Sequence, residues 1–184
     1  PLQHISDPVL KRMRRQITAN ETRELIHAIR EIHPDIRIRT TFLVGFPGET
    51  NEDHAALCQF IEEMKFDRVG VFEYSHEEGT RGYVLNDDVP ADLKKQRAEE
   101  IMAIQQSISL EHNEGLIGQT FRVLVDRKEG GRYVGRTEYD SPEVDNEIWI
   151  DHAGSQIAPG QFVNVHITGA TDYDLTGIVI KDGL

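Results

Sequence analysis

Residues 41–50 have the sequence TFLVGFPGET, and this segment decides the fold of the first half of the chain. Its apolar start belongs to a strand predicted over residues 36–44, because β-branched residues favour strands. The Gly-Phe-Pro-Gly that follows is a tight loop, where glycine allows the backbone to approach a ligand closely. Thr50 and Asp53 have the spacing of a capping box, so a helix follows. From these residues alone, an ordinary strand-to-helix turn is the favoured interpretation.

The alternation of strand and helix continues on both sides of this segment. Asp7 is predicted to be an N-cap followed by proline at the first helical position. Further helices are predicted over residues 20–33 and 90–113 from their hydrophobic spacing, and a second strand over residues 68–73. Such an order is typical of parallel βα units, in which the functional loops follow the carboxyl ends of the strands. Residues 1–114 are therefore predicted to form an α/β domain.

After residue 114 the pattern changes to short stretches of alternating hydrophobicity. Turns rich in glycine or aspartate separate them, as expected for successive strands. Five short strands predict a small antiparallel barrel of the oligonucleotide-binding (OB) type, so residues 115–184 are predicted to be a separate all-β domain. The predicted strands are centred on residues 121–125, 133–134, 148–150, 162–167 and 175–180.

The composition restricts the class of protein. The chain has 184 residues, of which 38% are hydrophobic, and no apolar run approaches the roughly 18 residues that span a bilayer. Its one cysteine, Cys58, excludes a disulfide framework and a cluster held by three cysteines of this chain, and favours an intracellular, cytoplasmic protein. Cys58 is expected to be a small buried residue on an amphipathic helix. The chain begins at Pro1 in what reads as the end of a strand, which suggests a piece of a longer protein.

Several motifs, in order along nearly the whole chain, resemble the methylthiotransferases of the radical S-adenosylmethionine superfamily. An apolar strand followed by GFPGET is similar to the fifth strand of their catalytic barrel. The flanking segments resemble the neighbouring strands and helices of that barrel, and the last 65 or so residues resemble the appended TRAM domain. The resemblance implies the C-terminal βα units of a TIM-like radical-SAM barrel, followed by an OB-like TRAM barrel. The flanking motifs are PLQHIS at residues 1–6, LKRMRR at 10–15, FDRVGVFEYS at 66–75, EGT at 78–80, DVP at 88–90 and KKQR at 94–97.

Two branches of this family differ in substrate. One modifies an adenosine of transfer RNA, and the other adds a methylthio group to the β-carbon of an aspartate in a small-subunit ribosomal protein. The opening PLQHIS, residues 68–70 and residues 172–177 resemble the ribosomal-protein branch. The transfer-RNA branch is the first alternative, and a non-catalytic binding module that uses the barrel alone is the second.

The charge favours a protein substrate. The net charge is −12, and residues 116–184 carry 11 acidic and 6 basic side chains, whereas an RNA-binding barrel is expected to be basic. Ribosomal proteins are basic, so an acidic surface would steer one toward the barrel, and nucleic acid is not expected as a partner. The alternative interpretation of the acidic residues is a solvated loop without a partner. The alternative for the single tryptophan is a position in the barrel core. The predicted substrate-binding residues are Glu138, Asp140, Glu143, Asp145, Glu147 and Trp149.

The resemblance also implies cofactors for the parent enzyme: S-adenosylmethionine and two 4Fe-4S clusters, with a protein that supplies electrons. The C-x3-C-x2-C ligands of the radical cluster are absent from this chain, so no metal ligand is predicted here and the chain alone is expected to be inactive. Side chains alternate between the two faces of a strand, and the sequence leaves open which set faces the cofactor. The predicted cofactor-binding residues are Gln3, His4, Thr41, Leu43, Gly45, Phe72, Tyr74 and Ser75.

Overall fold

The computed structural model describes residues 1–142, 144–151 and 157–180. The chain divides into two compact units, Pro1–Ile108 and Ser109–Leu184. A long helix, α4 (Ala91–Glu114), crosses the division, and the domain boundary predicted after residue 114 coincides with its last residue. None of the helices in the described ranges is long and apolar enough to cross a membrane.

The first unit is an α/β structure, as predicted. Its two strands are parallel neighbours, and a helix connects them. This is the geometry of a βα unit. The elements before α4 are α1 (Asp7–Arg12), α2 (Ala19–Ile32), β1 (Arg39–Val44), α3 (Asn51–Met64), β2 (Arg68–Glu73) and a 3-10 helix (Arg81–Val84).

The core of this unit lies on one face of β1. Phe42 and Val44 are fully buried and pack in one cluster with Leu57 and Phe60 of α3. Thr41, one position earlier than Phe42, lies on the opposite face and is half-buried. Burying a large apolar side chain contributes about 2 kcal/mol. The alternation therefore holds the face with Phe42 in the core and leaves the face with Thr41 outside it.

Two element boundaries differ from the predicted ones. The strand β1 begins at Arg39 rather than at residue 36, because the Ile36 amide donates to the His33 carbonyl at 3.1 Å and closes a turn there. The N-cap of α1 is Ser6, whose backbone is extended, so Asp7 is already helical. The capping box predicted at Thr50 is confirmed, with both reciprocal hydrogen bonds present.

The second unit is a closed five-stranded barrel, as predicted. The strands follow one another around the ring in the order β3-β4-β5-β7-β6, and β5 and β7 run parallel. The prediction of a wholly antiparallel barrel was wrong, because strand direction cannot alternate around a closed ring with an odd number of members. Alternate side chains of these strands fill the interior. The strands are β3 (Thr120–Glu129), β4 (Arg132–Arg136), β5 (Ile148–Asp151), β6 (Phe162–Ala170) and β7 (Leu175–Ile180).

Candidate functional site

The loop after β1 is held by the carboxylate of Glu49. The backbone N–H groups of Gly45 and Phe46 both donate to Glu49 Oε2, the second at 3.1 Å. The Glu49 amide in turn donates to the Phe46 carbonyl at 2.9 Å. Since Glu49 is only 5% exposed, these bonds form away from competing water and fix the backbone of the loop.

Arg97 of α4 provides the charge partner of Glu49. Its Nη1 lies 3.1 Å from Glu49 Oε1, an ion pair that lacks the alignment of a hydrogen bond. The same nitrogen donates to the Glu49 carbonyl at 3.2 Å, and Nη2 donates to Asn51 Oδ1 at 2.9 Å. Burial raises the pKa of Glu49, and Arg97 and the two amide donors oppose that shift. Sequence reasoning missed this pair, although Arg97 stands at helical spacing from the buried Ile101 and Ile108 and could have been identified from that.

Gly45 makes room for the Lys94 side chain of helix α4. Its φ is +72°, and a Cβ built there would lie 2.2 Å from Lys94 Cγ. The Lys94 side chain passes this point and donates to both carboxylate oxygens of Asp87, at 2.7 and 2.8 Å. It also lies over the ring of Tyr74, 5.0 Å from the centroid. The structure thus shows a packing constraint at Gly45, and its role in a cofactor pocket stays a prediction.

Three of the predicted cofactor residues share one face of the sheet. Leu43 lies directly opposite Phe72 in the register of β1 and β2, and Thr41 lies opposite Gly70. This face is the one opposite Phe42, and it is open, since Phe72 is 64% exposed. Because Gly70 has no side chain, the backbone beside Thr41 is accessible. We call this surface, formed by Thr41, Leu43, Gly70 and Phe72, the open face.

Tyr74 and Ser75 follow β2 and border the loop. The ring of Tyr74 packs edge-on against Phe46, with centroids 5.1 Å apart, and its amide donates to the Val44 carbonyl at 2.8 Å. Ser75 is exposed and donates to Glu77 Oε1. These contacts make Tyr74 a support of the loop, whereas the Ser75 hydroxyl is directed to a neighbouring side chain.

The consecutive residues Gln3 and His4 have different environments. The Gln3 backbone pairs with β1, donating to the Thr41 carbonyl at 3.0 Å and accepting from the Leu43 amide at 2.8 Å. The ring of His4 is only 1% exposed, and its Nδ1 accepts from the Ser6 amide at 3.0 Å. Burial lowers the pKa of His4 to about 4, so the ring is neutral with its proton on Nε2. Nε2 has no hydrogen-bond partner in the part of the chain that the structure describes.

Cys58 is placed for packing, in keeping with its expected role. Its Sγ lies 3.4 Å from His54 Nε2, and that nitrogen lies 2.7 Å from Glu100 Oε2. Burial, with the nearby carboxylates, raises the pKa of the thiol to about 11, so it is protonated at neutral pH. Over the described ranges, no group of three or more His, Cys, Asp or Glu side chains could hold a metal ion.

The acidic residues of the barrel are only partly available to a partner. Glu147 is paired with Arg127, with nitrogen–oxygen distances of 2.5 and 2.8 Å. Asp140 accepts from the Thr137 hydroxyl at 2.6 Å, so part of its hydrogen-bonding capacity is used within the loop. Glu138 is exposed.

The remaining predicted substrate-binding residues differ in their environments. Asp145 accepts from the Ser141 amide at 2.7 Å. Glu143 lies outside the described residues. Trp149 is half-buried on the outer face of β5, since its neighbours Ile148 and Ile150 fill the barrel core. It is therefore presented on the surface of the barrel rather than in its core.

The basic side chains of the barrel are largely neutralised by its acids. Besides Arg127, Arg132 lies 3.2 Å from Asp151, and Arg136 pairs with Asp126. Neutralising phosphates requires free cations. These three ion pairs reduce the number of free cations on the described part of the barrel.

Comparison with known proteins agrees with the resemblance found in the sequence. Residues 117–180 match the family model of the TRAM domain. The chain is 54% identical over 177 residues to the ribosomal protein uS12 methylthiotransferase RimO of Flavobacterium johnsoniae, covering 96% of this chain and 40% of that protein. Identity to the protein of the same name is 50% in Cytophaga hutchinsonii, over 98% of this chain and 41% of the relative. It is 48% in Chlorobium limicola, over 100% of this chain and 43% of the relative.

The chain thus spans about two fifths of the length of the curated relatives it matches. The predicted TRAM domain is confirmed, and so is the resemblance to the ribosomal-protein branch. Over nearly its whole length, this chain is similar to the ribosomal protein uS12 methylthiotransferases.

Proposed function

We propose that the protein containing this chain is a radical S-adenosylmethionine methylthiotransferase that modifies an aspartate of ribosomal protein uS12. The observation that carries the proposal is the open face, because it brings Thr41 and Leu43 of β1 together with Phe72 of β2, next to the loop fixed by Glu49. The relatives named uS12 methylthiotransferases support the choice of substrate. The first unit would then be the C-terminal part of a TIM-like catalytic barrel, and its open face would point into that barrel.

The open face fits the adenosyl part of S-adenosylmethionine. Leu43 and the exposed ring of Phe72 offer apolar surface, and the missing side chain of Gly70 leaves room for a flat ring beside Thr41. When bound, the cofactor would supply the radical that removes hydrogen from an unreactive carbon, and also the methyl group. The residues of this chain would bind and orient it and exclude water.

The clusters would be held elsewhere in the parent enzyme. Cys58 is the single cysteine of this chain, so the chain cannot supply the three cysteine ligands that such a cluster requires. The electrons would come from a separate reductant protein. A uS12 substrate and a single unpaired cysteine would support a cytoplasmic location.

The TRAM barrel would bind uS12. Its surface carries Trp149 and the exposed Glu138, and three of its arginines, Arg127, Arg132 and Arg136, are paired with acids. A basic protein would be attracted to such a surface, whereas the phosphates of RNA would not. The transfer-RNA branch is therefore less well supported, and an isolated binding module would not account for the βα units.

The test is a product assay with the full-length protein. Reconstituted enzyme would be incubated with S-adenosylmethionine and either uS12 or transfer RNA, and both substrates would be analysed by mass spectrometry. We expect one methylthio group on an aspartate of uS12 and none on the RNA. Modification of the RNA alone would overturn the proposal.

A further inference from the structure

A basic cavity of about 420 Å³ borders the open face. Gln3 and Leu43 form the side that it shares with that face. Five cationic side chains line the cavity, four from the end of α1 and the residues after it and one from the 3-10 helix. These residues are Lys11, Arg12, Arg14, Arg15 and Arg81.

This concentration of positive charge is unusual in a chain whose net charge is −12. Among the described residues, no aspartate or glutamate lines the cavity. Arg12 Nη2 donates to the Gly48 carbonyl at 2.6 Å, which ties the cavity wall to the loop after β1. The described part of the chain gives Arg15 and Arg81 no carboxylate partner, and both are exposed. Their charges are therefore available to a ligand.

The rest of the lining is apolar. Phe46, Met13 and Leu85 contribute to the wall. Apolar walls lower the local dielectric and strengthen attraction between charges. The cavity thus suits a small oxyanion carried on an aliphatic stem, and guanidinium groups bind carboxylates in a bidentate manner.

We propose that this cavity receives the carboxylate of the substrate aspartate. The inference rests on the proposed function. A basic protein such as uS12 would be repelled by five cations unless the group inserted among them were negative. The cavity would then select an aspartate and hold it beside the open face, where the cofactor would bind. Lys11, Arg14, Arg15 and Arg81 would be specificity-determining residues.

The test compares two ligands and two variants of the full-length protein. The ligands are uS12 and uS12 with asparagine in place of the target aspartate. The variants are Arg15→Gln/Arg81→Gln and a matched control, Lys95→Gln/Lys128→Gln, which also removes two exposed cations but none from the cavity. Binding would be measured by fluorescence anisotropy at low salt, together with the affinity for S-adenosylmethionine.

We expect the wild type and the control to prefer the aspartate form by about tenfold, as for one charge-assisted contact. The cavity variant should lose this preference, with the affinity for S-adenosylmethionine unchanged. A preference that survives in the cavity variant would overturn the inference. A loss of cofactor affinity alone would also overturn it, because the cavity would then be assigned to the carboxylate of S-adenosylmethionine. If the wild type bound neither form of uS12, the proposed function itself would fail, and the inference with it.

Discussion

The guanidinium of Arg97 and the carboxylate of Glu49 lie 3.1 Å apart, and both side chains are buried. Through this ion pair, helix α4 holds the loop that follows β1. The two residues are 48 positions apart in the chain. The geometry of the loop therefore depends on the folding of a distant helix as well as on its own sequence.

Removing one member of this pair should be costly. Arg97→Met leaves the Glu49 carboxylate buried without its counter-charge, and we expect a loss of about 3 kcal/mol in the free energy of unfolding. The control is Lys95→Met, which breaks an exposed pair with Glu99 and should cost less than about 0.5 kcal/mol. Urea unfolding measures both. Adding Glu49→Gln to Arg97→Met should recover part of the loss, because the buried and unpaired charge is removed. Equal stabilities of Arg97→Met and Lys95→Met would contradict a stabilising role for the buried pair.

Gly45 and Gly79 offer a matched test of packing against backbone strain. Both have φ between 70° and 80°, but a Cβ at Gly79 would have no atom within 4 Å, whereas one at Gly45 would overlap Lys94. Gly79→Ala should therefore cost only about 1 kcal/mol, for the left-handed backbone. Gly45→Ala should cost about 3 kcal/mol, because overpacking is added. Similar losses in thermal or urea unfolding would show that the approach of Lys94 does not constrain this position.

His4 should make the stability of the chain depend on pH. The folded pKa is about 4 and the reference value is 6.5, so the unfolded chain takes up the proton first as the pH falls. The stability is fully present above pH 6.5 and is lost as the pH approaches 4. In His4→Asn this dependence is absent, and the amide oxygen can still accept from the Ser6 amide. As the pH falls from about 7 to 4.5, the free energy of unfolding of the wild type should therefore fall by about 2 kcal/mol relative to that of His4→Asn. A difference that stays constant with pH would contradict the lowered pKa of His4.

The exposed Glu138 should contribute to the association of uS12 with the barrel. Glu138→Lys reverses a charge on the barrel surface that is proposed to bind uS12. We expect the association rate at low salt to be several-fold lower. Stopped-flow fluorescence would measure that rate, with Glu99→Lys on α4 as a control of equal charge change. Both variants should approach the wild-type rate at about 1 M salt, where charges are screened within a few ångströms. If both variants lowered the association rate equally at low salt, the effect would come from net charge and not from a local binding surface at Glu138.

Local signals in the sequence were sufficient for much of the fold. The strand Arg68–Glu73 has the predicted bounds, the box at Thr50 was identified from its spacing, and five barrel strands were found from alternation. The start of β1 was misplaced because β propensity does not report the turn closed by Ile36. The closure of the barrel, with its one parallel pair, depends on long-range pairing that alternation cannot reveal.

The candidate site was less accessible to sequence reasoning. The strand alternation of Thr41 and Leu43 was recognised, but only the packing of Phe42 on α3 identifies which face is open. His4 is buried, and its position in the cofactor site stays a prediction. The helical spacing of Arg97 with Ile101 and Ile108 indicates that Arg97 is buried, but its contact with Glu49 forms only in the folded unit.

The binding of full-length protein to purified uS12 and to transfer RNA, each over a salt series, distinguishes the two substrates. We predict specific binding to uS12 and none to the RNA, because Arg127, Arg132 and Arg136 of the barrel are paired with acids and the exposed Glu138 is acidic. Binding to transfer RNA that weakens steeply with salt, without binding to uS12, would contradict this prediction.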